Sequence, residues 1–141
     1  MVCYYYEMER KIEFSTDEYY HVYNRGADKR IIFTNNGDRD RFLKLLFLCN
    51  GTEAIRMNRT GRGFPLANEV NRGNRLVSIG AYTLMPNHFH LLLKELDEGG
   101  ISRFMLKLTT AYSMYFNKKY EHSGVLFQGA FKAEHIDNDR Y

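Results

Sequence analysis

Apolar and polar residues alternate most regularly between residues 82 and 94. The apolar members of this stretch are Phe89, Leu91 and Leu93. Successive side chains of a β-strand point to opposite faces, so these residues face a core while His88 and His90 share the other face. With a turn at residues 86–87 and a β-prone run over 76–85, the pattern predicts a hairpin that carries two neighbouring imidazoles.

The remaining periodic segments predict two helices and two further strands. Residues 19–24 alternate as a strand, and residues 131–136 form a closing strand. Asp38 is the expected cap of a first helix that ends at Asn50-Gly51. Ser102 is the expected cap of a second helix, which has a long apolar stripe. The order strand, helix, strand, strand, helix, strand is typical of an α+β, ferredoxin-like split βαβ sandwich, in which both helices cover one face of an antiparallel sheet.

Length and composition limit the possible fold and function without identifying either. The 141 residues suit one domain, which we place at 18–141 after an N-terminal arm of residues 1–17. Eleven tyrosines and ten phenylalanines suit stacking on bases, although many of these rings must fill the core. A net charge of +3 permits a polyanionic partner without requiring one.

Two cysteines, Cys3 and Cys49, have neither metal-type spacing nor a disulfide framework. The chain also lacks an apolar run of membrane length and an apolar signal core. These features predict a soluble protein of the reducing cytoplasm with no membrane partner.

His88 and His90 are the candidate metal ligands, because two adjacent imidazoles can bind one divalent cation. The alternative is a half-buried strand whose histidines face solvent or bond to neighbouring backbone. A pair with this spacing also arises by chance in a chain with five histidines, and metal sites need more than two ligands.

Two basic segments have two interpretations each. Arg25, Lys29 and Arg30 follow the first strand, where they either form a solvated loop or contact phosphates beside the sheet edge. Residues 51–75 carry five arginines among Gly, Asn and Thr. This segment is either an unstructured surface insertion or a flexible clamp for a nucleic-acid backbone.

Three ordered stretches carry a family likeness: residues 21–26 (HVYNRG), 84–92 (LMPNHFHLL) and 123–132 (SGVLFQGAFK). They resemble the signature stretches of the single-tyrosine HUH transposases, the IS200-like family, and above all the branch associated with repetitive extragenic palindromes in bacteria. The likeness extends over residues 19–141, and the middle stretch is its specific part.

The resemblance implies a single-strand endonuclease and strand transferase that binds hairpin DNA and cleaves it through a 5′-phosphotyrosine intermediate. His88 and His90 would hold the divalent metal, Mg²⁺ or Mn²⁺. The DNA-binding residues that it implies are Asn24, Arg25, Lys29, Arg30, Gln128 and Lys132. A homodimer is one expected state, as in the wider family, and a monomer is the other.

The resemblance places the nucleophilic tyrosine on a helix after the last strand, where this sequence has only residues 137–141. We therefore expect a fragment or a degenerate copy that lacks the nucleophile, binds DNA and metal, and cleaves poorly or not at all, unless another tyrosine serves. Tyr115 and Tyr112 are the helical candidates, although their apolar stripe favours core packing. Phe127 and Ala130 stand where the family pattern has tryptophan and arginine.

There are two competing hypotheses. One is a non-enzymatic nucleic-acid-binding module of the same fold. The other is a small zinc hydrolase, for which the sequence offers no clear third metal ligand.

Overall fold

The computed structural model describes residues 12–54 and 70–137. Its elements are β1 (Tyr19–Arg25), a short 3₁₀ turn (Ala27–Lys29), α1 (Asn36–Leu48), β2 (Val77–Met85), β3 (His88–Glu95), α2 (Gly100–Lys119) and β4 (Lys132–His135). The four strands form one antiparallel sheet in the order β2-β3-β1-β4. This is the predicted split βαβ arrangement. The N-terminal tyrosines, the arginines between 55 and 69, and Tyr141 lie outside the described residues.

Strand β3 lies in the middle of the sheet and separates two different faces. Phe89, Leu91 and Leu93 are almost completely buried, and the ring of Phe42 on α1 lies 5.1 Å from that of Phe89. Tyr112 of α2 contacts the same Phe42 ring, so both helices cover one face. The residues that alternate with them along β3, His88 and His90 among them, are partly exposed on the opposite face. The alternation therefore predicted both faces correctly.

The first helix begins earlier than predicted. Its N-cap is Asn35, whose side-chain oxygen accepts a hydrogen bond from the backbone N–H of Asp38 at 3.0 Å. The prediction that Asp38 caps this helix is therefore wrong, because its carboxylate is fully buried and bonds to α2 instead.

The second helix also begins without the predicted cap. The N-cap is Gly99, with φ of 71°. The helix begins at Gly100, so Ser102 lies within its first turn. The backbone N–H of Ile101, which has no acceptor within the first turn of the helix, donates to the buried carboxylate of Glu95 at 2.9 Å. A carboxylate at this end satisfies an orphan donor and suits the helix dipole.

Within residues 12–54 and 70–137, no helix is long and apolar enough to cross a membrane.

Candidate metal centre on the open face of the sheet

His88 and His90 lie side by side at the start of β3. Their ring centroids are 5.2 Å apart, and the ring planes are perpendicular. Nδ1 of His88 lies 2.7 Å from Oδ1 of Asn87 in the preceding turn. Nδ1 of His90 lies 2.8 Å from Nε2 of His21 on β1. The same ring nitrogen is thus engaged in both residues.

The contact with Asn87 determines the tautomer of His88. An amide oxygen only accepts hydrogen bonds, so Nδ1 of His88 carries the proton and Nε2 keeps its lone pair. Among the described residues, neither Nε2 of His88 nor Nε2 of His90 has a hydrogen-bond partner. The two residues share one face of the sheet, and neutral imidazole nitrogens are common donors to divalent metals.

The electrostatic surroundings keep His90 neutral. Burial lowers the pKa of His90, and the neighbouring rings of His21 and His88 lower it further. A neutral imidazole is the form that binds a metal. The pair therefore has the donor chemistry of a metal site, although no group of three or more His, Cys, Asp or Glu side chains within the described ranges has the geometry to hold a metal.

Strand β1 adds two side chains that the sequence analysis did not assign to this site. The rings of His21 and Tyr23 lie 5.0 and 5.8 Å from that of His90. The Tyr23 hydroxyl donates to the Glu134 carboxylate at 3.4 Å, and burial together with Glu134 raises the pKa of Tyr23. His21 and Tyr23 are two residues apart on β1 and therefore lie on the same face of the sheet. Because the predicted fold places β1 next to β3, this spacing is a sequence signal that could have placed both residues beside His90.

Comparison with known proteins places the chain in a family. The family model described as "Transposase IS200 like" matches residues 68–141, just over half of the chain and the part that holds both histidines of the pair. The chain belongs to the IS200-like transposase family. None of the curated proteins matches this transposase.

Two solved structures share the fold of the transposase. One is a REP-associated tyrosine transposase bound to a REP hairpin, with a TM-score of 0.54 and 14% identity over 94% of this chain. The other is a putative transposase from Deinococcus radiodurans R1, with a TM-score of 0.56 and 14% identity over 93% of this chain. The chain spans 64% of the first protein's length and 88% of the second.

Two of the predicted DNA contacts of the transposase lie on the same face as the histidine pair. Arg25 pairs in register with His88, and Lys132 pairs with Tyr23. Both side chains are exposed. Both lie on the side of the imidazoles where β1 and β4 follow β3 in the sheet, so a polyanionic strand on this face would meet two cations.

The other predicted DNA contacts have different surroundings. Asn24 is buried and donates to the carbonyl of Gly129. This hydrogen bond attaches the 124–131 segment to β1. The Arg30 guanidinium donates to His122 and lies over the Phe116 ring. Lys29 and Gln128 are exposed beside the 3₁₀ turn, and the Gln128 side chain accepts from the N–H of Asp28.

Tyr112 and Tyr115 lie on the helix side of the sheet, away from the histidines. Tyr112 is completely buried, donates to the carbonyl of Ile32, and has a raised pKa because of burial. Tyr115 donates to Asp38 at 2.7 Å, and burial and that hydrogen bond raise its pKa. This placement supports core packing for both rings.

Proposed function

We propose that this IS200-like transposase is a metal-dependent endonuclease and strand transferase for hairpin-tipped single-stranded DNA. The observation that carries the proposal is the pair of imidazoles on the open face, each with Nδ1 engaged and with no hydrogen-bond partner for Nε2 among the described residues. Phosphodiester cleavage depends on neutralising the charge that develops on the phosphate, and this face gathers the groups for it.

His88 and His90 would hold the ion through their Nε2 atoms. A divalent cation bound there would supply Lewis-acid chemistry to the scissile phosphate and the leaving oxygen. Two imidazole nitrogens are softer donors than the oxygen ligands typical of Mg²⁺, so Mn²⁺ is the better probe of the site while both ions fit the proposed activity.

The protein's own cations would bind and orient the strand. Arg25 and Lys132 are exposed on the same face as the imidazoles, on the side of β1 and β4, where they can contact phosphates that neighbour the scissile one. A structural neighbour bound to a REP hairpin supports a hairpin as the partner.

The proposed reaction passes through a phosphotyrosine. A tyrosine oxygen forms a bond to phosphorus while the bond from phosphorus to the 3′ oxygen breaks, and the products are a 5′-phosphotyrosine and a free 3′-hydroxyl. One phosphoester bond replaces another, so rejoining the strands needs no nucleotide cofactor. Within the described residues, Tyr23 lies beside the histidines, whereas Tyr112 and Tyr115 are engaged in the core.

A nicking assay tests the proposal. The protein is incubated with a labelled single strand that carries a hairpin, in Mn²⁺, in Mg²⁺ and in EDTA. We expect nicking and a protein–DNA adduct with either ion and neither product in EDTA, and peptide mapping of the adduct identifies the nucleophile. A gel shift that persists in EDTA, with no adduct under any condition, would instead indicate a non-enzymatic binding module.

Replacing Arg25 or Lys132 with alanine is expected to weaken binding of single-stranded DNA and to reduce its salt dependence. Each phosphate contact contributes about 0.7 to the slope of log K against log salt for a single strand, so each variant should lose about that much. Fluorescence anisotropy across a salt series measures the slope. Lys118→Ala, an exposed lysine at the end of α2, is the matched control and should leave the slope unchanged.

A further inference from the structure

We infer that His21 is a positioning residue for the metal ligand His90, whose Nδ1–H it accepts at its own Nε2. The inference rests on the proposed metal site and adds a residue on a different strand to it. His21 would not contact the ion. It would determine which nitrogen of His90 faces the ion.

The contact between the two rings is short and directed. Nε2 of His21 and Nδ1 of His90 are 2.8 Å apart, and the ring planes lie within 25° of each other. A nitrogen–nitrogen separation of this length is a hydrogen bond that one of the two rings must donate. The direction of that bond decides the chemistry of His90.

Only one direction leaves His90 able to bind a cation through Nε2. If His21 donated, Nδ1 of His90 would accept, the proton of a neutral His90 would sit on Nε2, and that atom would have no lone pair for a metal. If His90 donates, Nε2 is free. Metal-binding histidines almost always donate their other ring N–H to a partner that fixes the tautomer and the ring orientation.

The same preparation already exists at the other ligand. Nδ1 of His88 donates to Oδ1 of Asn87, which can only accept. With His90 donating to His21, both residues keep the lone pair on Nε2. The two acceptors come from different places, one from the turn before β3 and one from β1.

His21 is held in place well enough to act in this way. It lies on β1 between Tyr20 and Val22, whose side chains are buried in the core with 2% and 0% exposure. On the open face, the ring of Tyr23 lies 4.8 Å from that of His21. The partner strand β3 therefore meets an imidazole with little freedom to turn away.

The inference is tested on the whole protein with Mn²⁺ as the probe, by calorimetry or by electron paramagnetic resonance. We expect His21→Ala to weaken Mn²⁺ binding about 10- to 100-fold, the range seen when such supporting groups are removed. His21→Gln should recover most of the affinity, because its side-chain oxygen can accept the same N–H. His135→Ala, which removes an exposed imidazole on β4 that lies beside Glu18 and away from the pair, should bind Mn²⁺ like the wild type.

Nitrogen NMR of the metal-free protein gives a second measurement that needs no activity. We expect His90 protonated at Nδ1 in the wild type and in His21→Gln, and a mixture of tautomers in His21→Ala. A wild-type His90 protonated at Nε2 would overturn the inference, and so would an unchanged Mn²⁺ affinity in His21→Ala. A His21→Gln variant that folds but binds Mn²⁺ as weakly as His21→Ala would also overturn it.

The outcomes separate this inference from the proposed function. If His88→Ala loses Mn²⁺ binding and His21→Ala keeps it, the metal site stands and the role of His21 does not. If the wild type binds no Mn²⁺, the proposed metal site fails and the inference fails with it.

Discussion

Replacing His90 with alanine is expected to abolish Mn²⁺ binding and to reduce metal-dependent nicking by at least about 1,000-fold. The variant removes half of the imidazole pair, and the loss of one group that stabilises transition-state charge already costs about 100- to 1,000-fold. The fold should survive. His90 is only partly buried, and among the described residues its side chain makes one hydrogen bond, to His21, worth about 1 kcal/mol.

The measurement is the nicking rate on a hairpin-tipped single strand, together with Mn²⁺ affinity by calorimetry. His135→Ala is the matched control, because His135 is an exposed histidine on β4 that lies 3.1 Å from Glu18 and away from the pair. That variant should nick at the wild-type rate. If His90→Ala nicks within threefold of the wild type in Mn²⁺, the metal assignment is wrong.

Two kinds of sequence signal behaved differently in this transposase. The alternation around Phe89 is local and strong, so the strand, its faces and the side of the histidine pair were all predictable. Helix starts were not, because they depend on distant partners. Asp38 looks like a cap in sequence, yet its carboxylate is used by Tyr115 and Lys119 on α2.

The sequence predicted that His88 and His90 lie side by side, but not which residues of other strands lie next to them. His88 and His90 share a face by parity alone. His21 joins them only because β1 pairs with β3 in the observed register, and such contacts between strands far apart in sequence need the strand order first. Arg30 shows the same limit, since its position in a basic loop gave no sign that its guanidinium bonds to His122, a residue 92 positions away in sequence.

Asp38 joins the two helices through an unusually complete set of hydrogen bonds. The carboxylate is fully buried. Its five donors are the backbone N–H and the hydroxyl of Thr34, the hydroxyls of Tyr115 and Tyr120, and the ammonium of Lys119. Burial alone would raise the pKa of Asp38, but the hydrogen bonds from Lys119, Thr34 and the two tyrosines hold it well below its usual range.

Asp38→Asn is therefore expected to destabilise the protein by about 3 kcal/mol at pH 7, because removing one member of a buried ion pair leaves the other and its neighbours unsatisfied. The figure is at the lower end for such changes, since the Lys119 side chain is 37% exposed and can be partly hydrated. Urea denaturation with circular dichroism measures the difference. Asp40→Asn, an exposed carboxylate on the same helix, is the control and should change the free energy of unfolding by less than about 0.5 kcal/mol.

The pH dependence of this difference identifies its cause. A carboxylate whose pKa is lowered by folding stabilises the protein fully above its unfolded pKa of about 3.9. That contribution is lost progressively as the pH falls from there through the folded pKa. The wild type and Asp38→Asn should therefore differ less at pH 3 than at pH 7, while the Asp40→Asn control stays close to the wild type at both. An equal or larger difference at pH 3 would mean that Asp38 acts through shape and packing, and not through its charge.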